Sequence, residues 1–135
     1  MPLIPWNDEL SVGVNSLDEQ HKQLVAMINE LNDAFEKGKS DEILAKVFDE
    51  LAVYTIEHFG YEEELFARYG YSESQAHKKA HEVLIKQVQD LRQKLNDGEF
   101  MISLEVMLFL KDWLTNHIMK TDKAYAPFLI EKGAK

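Results

Sequence analysis

Apolar residues recur along most of this chain in alternating steps of three and four, the spacing that lines one face of an α-helix. One run reads Leu17, His21, Leu24, Ile28, Leu31, Phe35. A second reads Leu44, Val47, Leu51, Tyr54, His58, Glu62, Leu65, and a third His77, His81, Leu84, Val88, Leu91, Leu95. A fourth places Ile102, Val106, Phe109 or Leu110, Trp113 and His117 inward. No strand-like alternation competes. The pattern predicts helices over 17–37, 41–69, 73–96 and 101–121. Gly38, Gly70 and Asn96-Asp97-Gly98 fall where three of them must stop. Ser16 with Glu19, and Ser72 with Gln75, have capping-box spacing, and Ser40 or Asp41 can open the second helix. Gly60 lies in mid-helix, where it costs about 1 kcal/mol relative to alanine; close approach of another helix is one reason to keep it.

Helices of similar length with short connections give an all-α, up-down-up-down four-helix bundle. Residues 1–15 read as an ordered N-terminal arm over the domain, anchored by Trp6. A short C-terminal segment follows Asp122, bent or interrupted at Pro127. The whole of 1–135 reads as one domain, a size that suits a single core.

The seams are not purely apolar. All five histidines of the chain fall on them, and so does Glu62. His58 and Glu62 are spaced i, i+4, as are His77 and His81, so each pair aims two ligand atoms from one helix face. Up-down topology, at 1.5 Å per residue, brings all five histidines and Glu62 to one layer near one end of the bundle. A dry cluster of imidazoles and a carboxylate is costly to desolvate without a common partner. A metal ion is that partner. Asp122 joins the layer only if the helix gains phase after His117. Five residues turn about 500° in a regular α-helix, about 140° off-face. A π-bulge corrects this.

Composition narrows the chemistry further. A formal net charge of -9 argues against nucleic acid and anionic membranes as partners. The absence of cysteine excludes disulfides, thiolate nucleophiles, Cys-ligated zinc and iron–sulfur clusters. No apolar run spans a bilayer and no basic-then-apolar leader opens the chain, so no membrane insertion and a cytoplasmic location are expected.

Asp18-Glu19-Gln20-His21-Lys22, His58-Phe59-x-x-Glu62-Glu63, His77-x-x-x-His81 and Trp113-Leu114-x-x-His117-Ile118-x-x-x-x-Asp122 resemble the hemerythrins, in particular the single-domain bacterial ones. The resemblance covers nearly the whole chain, including Trp6 and Val12-Gly13-Val14. It implies a non-haem di-iron centre: one iron on His77, His81 and His117, the other on His21 and His58, with Glu62, Asp122 and an oxo or hydroxo group bridging both. The iron with two histidines is then one ligand short, and dioxygen is expected there. Phe59, Trp113, Leu114 and Ile118 resemble the apolar wall of the family's oxygen pocket. Iron itself follows from the resemblance, since histidine and carboxylate also suit zinc or manganese.

Five histidines and two carboxylates differ from the four carboxylates and two histidines of ferritin-like and oxygenase sites. Neutral imidazoles leave the diferrous site more positive, which disfavours deep oxidation. The expected function is reversible dioxygen binding for storage, transport or delivery, without enzyme activity, by a monomer, with an oxygen-consuming enzyme as a candidate recipient. The alternatives are a di-iron enzyme or scavenger acting on peroxide, nitric oxide or iron, and an oxygen or redox sensor module. Steady-state turnover would mark the first, an attached output domain the second.

Overall fold

The computed structural model describes residues 3–98 and 103–134. Helix α1 spans Asn15–Glu36, α2 Asp41–Tyr69, α3 Ser74–Asn96 and α4 Leu104–Asn116. A π-helical stretch, His117–Asp122, continues α4 directly into α5, Lys123–Glu131. The described residues contain no strand. α1 packs on α2 and α4, and α2 packs on α3, which gives the all-α four-helix bundle. No described helix is long and apolar enough to cross a membrane.

The seams turn inward as their spacing predicts, but Phe35, Val47, Tyr54, Leu84, Leu91, Leu95 and Val106 are only partly buried, and on α2 Phe48 and Thr55 lie deeper than the expected Val47 and Tyr54. Leu17, Leu24, Ile28 and Leu31 from α1 meet Leu44, Phe48, Leu51 and Leu65 from α2 and Met107, Leu110 and Leu114 from α4 in one core. Leu110, not Phe109, takes the inward place on α4; Phe109 is exposed. Ile102 and the start of the predicted fourth helix lie outside the described residues. On α3 only His77, His81 and Val88 are fully buried, so this helix contributes ligands more than core.

Two helix starts differ from expectation. α1 begins at Asn15 after an extended Val14, which puts Ser16 inside the first turn, with its hydroxyl unpartnered. Asp18 does the joining instead: its carboxylate accepts the Val12 N–H at 2.8 Å and the Ser11 hydroxyl at 2.6 Å, tying the arm to the helix. α3 starts at Ser74 without a side-chain cap, so Ser72 is not its cap. Ser40 and Ser103 do cap, each accepting the N–H three residues on. Gly70 ends α2 in the left-handed conformation that favours glycine (φ 74).

The arm is ordered by several contacts. Trp6 packs against the core, half-buried, with the Lys22 ammonium 5.4 Å from its ring centre. The deeper anchors are Ile4, Leu10, Val12 and Val14. The Asn29 side chain accepts from the Ile4 N–H and donates to the Ile4 carbonyl, both at 2.8 Å.

Pro127 does not interrupt the C-terminal segment. It lies inside α5, on its exposed side, and the irregularity comes earlier, in the π-helical stretch. Gly60 is also unlike its expectation. Nothing approaches within 4 Å of where its side chain would stand, so close helix packing does not explain it.

Candidate metal centre

All five histidines, Glu62 and Asp122 are buried at one level of the bundle. Each arrives by a local rule. His58 with Glu62 and His77 with His81 sit one turn apart on α2 and α3. His21 comes from the α1 seam. His117 and Asp122 open and close the π-helical stretch, where hydrogen bonding from i to i+5 turns residues five apart onto one face. The phase gain that Asp122 required is therefore present.

The ligand atoms form two overlapping groups. Glu62, His77, His81, His117 and Asp122 make one; His21, His58, Glu62 and Asp122 make the other. Within each, the donor atoms lie within 4.8 Å of one another. Asp122 turns one oxygen to each group. Its Oδ1 is 3.0 Å from His117 Nε2 and 3.1 Å from His77 Nε2, and its Oδ2 is 3.0 Å from His21 Nε2. Glu62 Oε1 stands 3.0 Å from His81 Nε2 and 3.5 Å from His58 Nε2, with its Oε2 3.6 Å from His21 Nε2.

These atoms are close but do not satisfy one another. The Nε2 atoms of all five histidines, Glu62 Oε1 and both Asp122 oxygens have no aligned hydrogen-bond partner. So many orphaned polar atoms in a core are unfavourable. The spacing explains them. Donors about 2.1 Å from one metal ion and at right angles stand about 3.0 Å apart. The contacts of 3.0–3.1 Å that Asp122 and Glu62 make with the histidine Nε2 atoms match that separation. The donor set therefore fits a non-haem iron site.

The electrostatics describe the cluster in the absence of cations. Burial lowers the His21 pKa, but Asp122 and Glu62 at close range outweigh it and raise it to about 9. His77 behaves likewise and rises to about 9. At His58 burial wins and the value falls to about 4. Burial pushes the Glu62 carboxyl up, yet the surrounding imidazoles hold it well below the usual carboxylate range. Asp122 is also held low, against burial and the Glu62 charge, by His117, His21 and His77.

Three supporting residues had no assigned role in the sequence. The Gln20 side-chain oxygen lies 2.7 Å from His58 Nδ1, and Glu63 Oε2 lies 3.1 Å from His81 Nδ1. An acceptor at Nδ1 fixes the tautomer that leaves Nε2 free to bind metal. The buried Tyr125 hydroxyl donates to Glu62 Oε2 at 2.5 Å. Burial and the Glu62 and Asp122 charges push the Tyr125 pKa well above its ordinary value, so it stays a donor. The usual need of a metal-binding histidine for a second partner could have flagged Gln20 and Glu63, which adjoin His21 and Glu62 in the chain. Nothing local marks Tyr125.

Of the apolar candidates, Phe59 packs directly against the histidines. Phe59 is stacked on His81 (centroids 3.9 Å apart, planes 4° from parallel) and lies against His58, His117 and Trp113 at wider angles. Leu114 and Ile118 are buried on the segment that carries His117.

Comparison with known proteins agrees with this geometry. Residues 12–129 match the model of the hemerythrin HHE cation binding domain. The bacteriohemerythrin of Pseudomonas aeruginosa is 42% identical over 125 residues, covering 93% of this chain and 80% of the relative. That of Methylococcus capsulatus is 38% identical over 130 residues, 96% and 98% of the two chains. The crystal structure of a wild-type hemerythrin superposes with a TM-score of 0.88 at 36% identity, covering 93% of this chain and 96% of that one. On the fold, the site and these likenesses, the chain belongs to the hemerythrin family.

Proposed function

We propose that this protein binds dioxygen reversibly at a di-iron centre and stores or delivers it; it is a binding protein and not an enzyme. The observation that carries this reading is the pair of unequal donor groups sharing Glu62 and Asp122. Three histidines, His77, His81 and His117, would hold one iron, and His21 and His58 the other. Glu62 and Asp122 would bridge them. Two irons supply the electrons and the Lewis acidity by which dioxygen is held. The position with one histidine fewer would be the one left open for dioxygen. Phe59, Trp113, Leu114 and Ile118 would form the apolar wall of the oxygen pocket, keeping water and protons from the site. The recipient of delivered oxygen would be an oxygen-consuming enzyme.

The test is anaerobic iron loading, then exposure to oxygen, then vacuum, followed by visible absorption with metal analysis alongside. About two irons per chain and an absorption band that appears with oxygen and leaves under vacuum are expected. One iron per chain, or steady turnover of peroxide or nitric oxide in place of a reversible band, would overturn the reading.

A further inference from the structure

The two donor groups differ in more than their histidine count. On the two-histidine side, His58 Nδ1 faces the Gln20 amide oxygen. On the three-histidine side, His81 Nδ1 faces a carboxylate, Glu63. The bonds also differ in origin: Gln20 reaches from α1 to α2, and Glu63 from α2 to α3. A carboxylate can only accept, so His81 carries its proton on Nδ1 and points a free Nε2 lone pair into the site. A carboxylate partner draws that proton more strongly than a neutral amide does and makes the ring a stronger electron donor. Glu63 is also partly sheltered, with the Lys78 ammonium 4.0 Å from its other oxygen.

We propose that Gln20 and Glu63 are an unlike pair of positioning residues that make the two metal positions electronically unequal. This rests on the di-iron reading above. Acting through His81, Glu63 favours the higher oxidation state of the metal held by His77, His81 and His117. Acting through His58, Gln20 leaves the metal on His21 and His58 easier to reduce. The iron with one histidine fewer is thus also the one with the weaker donors.

The experiment uses the iron-loaded protein and exchanges the two groups. Glu63→Gln replaces a carboxylate by an amide of nearly the same shape, Gln20→Glu does the reverse, and the double exchange does both. The double exchange keeps the net charge. Iron per chain and the two one-electron reduction potentials are measured in each by spectroelectrochemistry. Glu63→Gln should raise the lower potential alone, and Gln20→Glu should lower the higher one alone. The gap should narrow in both and most in the double exchange, while Glu63→Asp should restore the original values. In iron-free protein, the His81 Nδ1–H proton resonance should move upfield in Glu63→Gln and that of His58 downfield in Gln20→Glu. Equal shifts of both potentials would reduce the effect to general charge and overturn the proposal. So would unchanged potentials with iron retained, or loss of iron in every exchange, which would make the pair plain supports. Failure of the parent protein to take up two irons would instead strike the di-iron reading.

Discussion

His117 and Asp122 stand five residues apart in the chain, yet His117 Nε2 lies 3.0 Å from Asp122 Oδ1. A regular α-helix would carry Asp122 off the face of His117; the π-helical stretch between them returns it. Only with that irregularity do the two donor groups share a second carboxylate. Asp122→Asn keeps the volume and removes the charge. Iron content should fall from about two per chain to about one or fewer, with the helical circular dichroism unchanged. Retention of full iron in the variant would make the π-helical stretch a packing feature alone.

The Tyr125 hydroxyl is the one described side-chain donor that satisfies Glu62 Oε2, and both residues are fully buried. Tyr125→Phe removes the donor and leaves the ring. Loss of a buried hydrogen bond to a charged acceptor should cost about 1–3 kcal/mol. Denaturant unfolding of the iron-loaded variant reads this directly. An unchanged midpoint would mean that Glu62 finds its compensation elsewhere.

Stability should depend on pH differently with and without iron. In iron-free protein His21 and His77 titrate near 9, against about 6.5 for an unfolded histidine. The folded state holds those protons more tightly. Their stabilisation is therefore full below about pH 6.5 and is lost as the pH rises through about 9. His58, near 4, has the opposite sign, and stability is lost as the pH falls from about 6.5 to about 4. Protonation of the lowered Glu62 and Asp122 carboxyls adds to the loss in acid. Iron requires neutral histidines, so the iron-bound form escapes the alkaline loss. The melting-temperature difference between the two forms should widen between about pH 7 and about pH 9. Calorimetry on both forms decides it; a gap that shrinks toward the alkaline side would contradict the pairing of His21 and His77 with the carboxylates.

Two glycines should respond in opposite directions. Gly60 is exposed in the middle of α2 with open space where a side chain would stand, so Gly60→Ala should stabilise by about 0.5–1 kcal/mol. Gly13 has φ 74, and a Cβ there would stand 2.7 Å from Ile130 Cδ1, where the arm crosses α5. Gly13→Ala should therefore destabilise, by at least about 1–2 kcal/mol from the backbone conformation alone. Thermal melts of the two variants are the check, and a Gly60→Ala protein that melts lower would point to a constraint on α2 outside its packing.

What the sequence determined by itself is what helical periodicity determines. Steps of three and four bury one face, and a pair spaced i, i+4 converges on one point, so His58 with Glu62 and His77 with His81 were legible before any fold was known. The short connections then placed His21 and His117 at the same level, because adjacent helices must run antiparallel. Elsewhere the tertiary structure decided between local geometries that the sequence left open. Ser16 has the spacing of a cap, but the helix starts one residue before it and Asp18 ties the arm instead, next to the buried Val12 and Val14. Asp122 is expected at the site on condition that the helix gains phase after His117, and the π-helical stretch meets that condition; no local propensity signals a π-turn, so only the fold could supply it. Gln20, Glu63 and Tyr125 acquire their partners from other segments, 38, 18 and 63 residues away in the chain. Such contacts are created only when α1, α2, α3 and α5 close around the same buried charges, so they belong to the tertiary structure alone.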